Sequence, residues 1–289
     1  MQTITSQDTL ESQEVGLSTA SAEPPATAQT VQLSGLELVS QWFPCPLTVR
    51  AGTFSLPPEP AWQAVVRAAR PQLEAMLGAV GRLECPELGP LMQCGTAWLV
   101  RGNVAVTNRH NILFLLDDLQ RGTRTLRLDL CAEAGAPADE HCAVRRVLYV
   151  DPIHDLAFVQ VDPPRTSHVG LGVVDSIVAA HPVAVIGFPS HAEGGYPEAE
   201  YKHCFGDGWF DRDGRGFKRI SLGRLVSTSG ALLEHDCTTL GGSSGGVIVD
   251  LVRGAVIGLN YGESRDRRLN LGVPGWVVRE RLAQLERLR

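Results

Sequence analysis

Along most of this chain the apolar residues fall in short runs broken by Gly, Asn, Asp and Pro, the pattern of strands and turns. Runs at 97–100, 104–107, 125–130, 147–150 and 156–161 predict one set of strands, and runs at 183–186, 220–227, 247–250 and 255–261 a second. Pro163-Pro164 opens a stretch, 163–180, that reads as a connection between the two sets. Residues 190–219, with many Gly, Asp and aromatic residues, read as an extended loop. Two segments have helical spacing instead. Trp62, Val65, Val66, Leu73, Met76 and Leu77 predict a helix between Pro57 and Val80, interrupted or bent near Pro71. Val277, Val278, Leu282, Leu285 and Leu288 lie near one face of a terminal helix over 276–289. Residues 1–35, rich in Ser, Thr, Gln, Ala and Pro, predict a disordered tail. The chain therefore divides into that tail, a helical extension at 36–80, and a strand-rich domain at 81–289, its two sets spanning about 81–162 and 180–275. Many short strands with Gly-rich turns argue for an all-β barrel architecture.

Three segments within that domain have chemical potential. Gly241-Gly242-Ser243-Ser244-Gly245-Gly246 runs directly into the strand Val247-Ile248-Val249. Such a turn can hold a serine hydroxyl outward and leave amide N–H groups free to meet a developing negative charge, as acyl transfer requires. Of the two serines, only Ser244 is followed directly by both glycines. His110 follows the strand 104–107, at a strand end. Asp155 opens the strand 156–161 and is favoured over Asp151, which precedes Pro152 and reads as a turn residue; His154 reads as a solvated neighbour. A serine, a base and a carboxylate that fixes the base's tautomer make a nucleophilic triad.

Gly95-Thr96-Ala97 with Val106-Thr107-Asn108-Arg109-His110, Asp155-Leu156-Ala157 and Gly242-Ser243-Ser244-Gly245-Gly246 resemble the trypsin/chymotrypsin-like serine peptidases, bacterial branches of the glutamyl-endopeptidase and HtrA types most closely. Val185-Ile186-Gly187-Phe188-Pro189 and the strand from Val256 to Gly262 fit the same pattern, and the resemblance covers about residues 80–289. It implies two antiparallel β-barrels with a cleft between them and a helix packed behind. His110 and Asp155 would come from the first barrel and Ser244 from the second. The amides of Gly242 and Ser244 would form the oxyanion hole, with no metal or organic cofactor. By position relative to Ser244, the resemblance places Thr238, Thr239 and Asn260 along the pocket for the residue before the scissile bond. With no aspartate at 238 and no histidine at 260, a neutral polar or modest-sized residue is expected there. The expected activity is that of a serine endopeptidase acting on proteins or peptides, in bacterial regulation, quality control or defence. A catalytically silent, peptide-binding scaffold is the alternative. Ser243 stands where digestive relatives have an aspartate that pairs with a newly cut N-terminus, so no proteolytic maturation is expected. Regulation is expected from the 36–80 extension, the 190–219 loop, or a protein partner that moves one of them.

Composition narrows the setting. With 44% hydrophobic and 20% charged residues in 289, the chain is that of an ordinary globular protein. A net charge of −6 argues against nucleic acid as the main partner. The start has neither a basic nor an apolar leader segment, and no apolar run approaches membrane-spanning length. Seven cysteines without regular spacing do not form a disulfide framework, so a reducing cytoplasm is expected.

Overall fold

The computed structural model describes residues 44–135, 141–164, 170–175, 177–190, 198–206, 215–264 and 269–287. The tail expected over 1–35 lies outside these. In chain order the elements are β1 (Leu47–Arg50), β2 (Thr53–Phe54), α1 (Pro60–Leu77), β3 (Val80–Glu84), β4 (Gln93–Arg101), β5 (Val104–Thr107), α2 (His110–Leu113), α3 (Leu116–Arg121), β6 (Arg127–Asp129), β7 (His141–Val150) and β8 (Ala157–Val161). There follow β9 (Pro182–Gly187), α4 (Glu198–Phe205), β10 (Arg219–Ser229), β11 (Leu232–His235), β12 (Val247–Asp250), β13 (Ala255–Ser264), β14 (Leu269–Pro274) and α5 (Gly275–Arg287).

The first strand set closes into a six-stranded barrel in the order β3-β4-β5-β8-β7-β6. The second closes because β11 pairs with both β14 and β10, giving β10-β11-β14-β13-β12-β9. Every strand pair in both barrels is antiparallel. This is the chymotrypsin-like double barrel. Sequence periodicity is muted in β4 because residues 95–100 are buried on both faces. Within the connection, the Leu171 N–H donates to Leu99 O of β4 at 2.9 Å.

Within the 36–80 extension, α1 runs unbroken across Pro71 and buries Val66, Ala69, Leu73 and Leu77, a three-to-four-residue spacing on one face. Burying each Leu fully contributes about 1.5–3 kcal/mol relative to exposure. Ahead of it, β1 adds to β10 through Leu47↔Ile220, so the extension augments the second barrel's sheet. Lys218, fully buried, fastens these parts. Its Nζ donates to Leu77 O at the end of α1, to Leu130 O after β6, and to Glu133, at 2.8, 2.9 and 2.9 Å. The part of the 190–219 loop that is described holds α4 and residues 215–218. Among the described residues no helix is long and apolar enough to cross a membrane. None of the seven cysteines is in a disulfide.

Candidate active site

The β5–β8 register, Thr107↔Ala157, sets the segment after β5 beside the segment before β8. Asn108 Nδ2 donates to Asp155 O at 2.7 Å and fastens the two together. His110 then opens α2, where its N–H donates to Asp155 Oδ1 at 3.0 Å and its Nδ1 lies 2.5 Å from Asp155 Oδ2. Facing an acceptor-only carboxylate, Nδ1 is the protonated ring nitrogen, which leaves the lone pair on Nε2. The imidazole is half exposed, while the carboxylate is mostly covered.

Asp151 does not contact His110 in this arrangement. It is fully buried at the head of the turn that contains Asp155, and its Oδ1 accepts the N–H groups of Ile153 and His154 at 2.8 and 2.7 Å. His154 is not a solvated neighbour: its ring packs at 3.2 Å from the same oxygen and is 13% exposed.

The Gly/Ser loop between β11 and β12 is braced from the other barrel. Ser244 O accepts the Thr96 N–H at 2.8 Å and Asn111 Nδ2 at 2.9 Å. The residue after His110 therefore holds the backbone of Ser244. Ser244 Oγ lies 3.5 Å from Tyr261 O. Two glycines are needed for this path. Gly245 has φ +89°, and a Cβ there would stand 1.9 Å from Thr96 O. Gly242 also has φ +89°, and its Cβ would stand 2.5 Å from Phe188 O. Both positions combine a left-handed backbone with no room for a side chain.

The Gly241–Gly242 and Ser243–Ser244 peptide planes are anchored by their carbonyls. Gly241 O accepts the Ser190 N–H at 2.6 Å and Ser190 Oγ at 2.8 Å. Ser243 O accepts the Gly246 N–H at 2.8 Å and Asn260 Nδ2 at 3.1 Å. In a trans peptide the N–H points opposite to the C=O, and no described bond is cis. The amides of Gly242 and Ser244 therefore face away from those anchors.

Thr238, Thr239 and Asn260 are buried. Asn260 commits its amide to the protein: Nδ2 donates to Ser243 O at 3.1 Å, and Oδ1 accepts from His235 Nε2 at 3.0 Å. Burial lowers the His235 pKa to about 4, so the ring is neutral and its buried Nδ1 has no partner. Thr239 Oγ1 is likewise buried without a hydrogen-bond partner. Thr96, Asn111, Ser190 and His235 support the site, yet no spacing singles them out. Only Asn111, beside His110, and Thr96, within Gly95-Thr96-Ala97, stand in segments the sequence marks.

Among the described residues, Glu84, Asp129 and His141 place three potential metal ligands within 4.8 Å of one another. The carboxylate of Glu84 already accepts Arg82 Nε at 2.7 Å, Arg127 Nε at 2.8 Å and Arg215 at 3.2 Å. Arg82 also lies 3.5 Å from Asp129. Three guanidinium groups facing these lone pairs make this an ion-pair network rather than a cation site.

The profile of the trypsin-like peptidase domain matches residues 95–259. No curated protein sequence matches the chain. Among solved structures, the fold is similar to the serine endoprotease from Yersinia pestis, with a TM-score of 0.54 and 16% identity over 76% of this chain and 66% of that one. It is also similar to Rv3671c from M. tuberculosis H37Rv in an inactive form, with a TM-score of 0.51 and 17% identity over 81% and 96%. A third likeness is to the HtrA-type protease AlgW with a decapeptide, with a TM-score of 0.52 and 17% identity over 75% and 66%. The chain thus spans 66% of the length of the Yersinia and AlgW structures. At these identities the likeness is one of fold.

Proposed function

The chain belongs to the trypsin-like peptidase family, and from that premise we propose that it is an endopeptidase using His110, Asp155 and Ser244 through an acyl-enzyme. The observation that carries this reading is the pair of contacts from His110 to the two oxygens of Asp155, at 3.0 and 2.5 Å. They fix the ring in the tautomer a general base needs.

In the proposed cycle Ser244 Oγ attacks the peptide carbonyl while His110 Nε2 takes its proton. The N–H groups of Gly242 and Ser244 stabilise the oxyanion, supported by the anchoring of the Gly241 and Ser243 carbonyls on the opposite side. His110 then protonates the leaving amine, and water, activated by the same ring, releases the acid. Ser243 carries no charge to pair with a new N-terminus, and its N–H donates within the loop to Leu240 O at 2.9 Å. The loop thus needs no maturation cut.

The substrate is a protein or peptide, in keeping with the decapeptide in the AlgW structure. Thr238 and Thr239 shape the pocket for the residue before the scissile bond, and with no charged residue at either position a neutral polar or modest-sized side chain is favoured there. Asn260 serves that pocket from behind. Seven cysteines outside any disulfide suit a reducing cytoplasm, and the acidic balance disfavours nucleic acid. A peptide library read by mass spectrometry tests the specificity; cleavage confined to sites after Arg, Lys or Glu would refute it.

A further inference from the structure

The turn that bears Asp155 is held by a residue from the far end of the chain. Asp151 N–H donates to Leu156 O at 2.9 Å and closes the turn, while its carboxylate gathers the turn's inner N–H groups on Oδ1. The other oxygen, Oδ2, accepts Arg281 Nε at 2.6 Å and the Tyr149 hydroxyl at 3.1 Å. Burial opposes ionisation of Asp151, but the His154 and Ile153 amides and Arg281 outweigh it and leave its pKa at about 2.

Arg281 belongs to α5, which buries Val277, Val278 and Leu285 and packs along β13. The second barrel, which bears Ser244, is therefore linked through α5 to the first-barrel turn that bears Asp155. On the turn's other flank Arg109, next to His110, donates to Asp151 O and Pro152 O, both at 3.0 Å. The exposed pair Arg101–Glu286 adds a second tie from α5 to the first barrel. Exposed pairs contribute little, whereas in the Asp151–Arg281 pair the carboxylate is fully buried and the guanidinium mostly covered.

We propose that Arg281 and Asp151 are positioning residues for Asp155, so that α5 sets the orientation of His110 against the barrel that carries the nucleophile. Neither touches substrate. This inference rests on the triad reading above, and a misplacement of about 1 Å at such a site costs on the order of 100-fold in rate.

The test is Arg281→Gln in the full chain, read in two ways. The first is the saturating rate of Ser244 labelling by a fluorophosphonate, measured separately from the probe's half-saturating concentration. The second is the low-field proton resonance of His110 Nδ1. The expected result is labelling slowed by about 10–100-fold at little-changed half-saturation, with the resonance broadened or lost and far-UV circular dichroism retained. Arg281→Lys, which keeps the charge, should recover part of both. A folded Arg281→Gln protein with the wild-type labelling rate and resonance would overturn the proposal. If that variant does not fold, Asp151→Asn, which keeps an acceptor for the turn but removes the charge, is judged by the same two readouts. Wild-type values there would likewise overturn it. Failure of the unsubstituted protein to label would instead defeat the triad reading, while the resonance would still report on the positioning.

Discussion

Asn111 Nδ2 donates to the carbonyl of Ser244 at 2.9 Å, so the residue after the candidate base in one barrel grips the candidate nucleophile in the other. The same amide lies 3.0 Å from Thr107 Oγ1, which in turn donates to Thr96 O at 2.7 Å. Asn111→Ala should leave the buried Ser244 carbonyl short of a donor and cost about 1–3 kcal/mol of stability. Denaturant unfolding measures this, and the same variant should label more slowly with a fluorophosphonate.

The two aspartates of the 151–155 turn should separate by degree. Asp155→Asn removes the carboxylate that faces His110 Nδ1 and should lower turnover by about 10⁴. Asp151→Asn disturbs the support of that carboxylate and should lower it by about 10–100-fold. Labelling rates of the two variants check the order, and a larger loss at Asp151 would mean that it is the carboxylate that serves the base.

Gly245→Ala should fail to give a native protein, or lose at least about 3 kcal/mol. The added methyl would sit 1.9 Å from Thr96 O at a φ of +89°, and the Thr96–Ser244 backbone bond leaves no direction in which to yield. Thermal unfolding of any soluble fraction is the measurement.

His235 gives a pH signature. Its pKa is lowered by burial from 6.5 to about 4. Between those values the unfolded chain binds a proton that the folded protein refuses, so stability rises with pH across that window and is complete above it. The gain should be about 3 kcal/mol. It should vanish in His235→Gln, which is checked by urea midpoints at pH 4.5 and pH 7, values chosen inside and above that window.

Legibility in the sequence followed physical lines. β5, β8, β9 and β12 are short apolar runs and show as strands, since barrel burial selects that composition. β7 extends back to His141 through Arg145 and Arg146, whose charged side chains project from the exposed side and hide the strand. β11 and β14 are hidden for the opposite reason, with Glu234, His235 and Asn270 buried in polar contacts rather than apolar ones. Pro71 predicted an interruption or a bend in α1, and the helix is not interrupted there because Leu73 and Leu77 pack on the same face as Val66 and Ala69. The candidate triad residues stood out because glycines and strand ends mark them. Their supports, Arg281 on Asp151 and Ser190 on Gly241, are separated from them in sequence by 130 and 51 positions, and only the folded chain brings them together.

The most direct test of the account is labelling of the purified, uncut chain with a fluorophosphonate, with the modified residue located by mass spectrometry. The account predicts a single adduct on Ser244, lost in Ser244→Ala and retained in Ser243→Ala, with peptidolysis falling on the order of 10⁶ in the former. An adduct on Ser243, equal loss in both variants, or reaction only after a cut that creates a new N-terminus would contradict it.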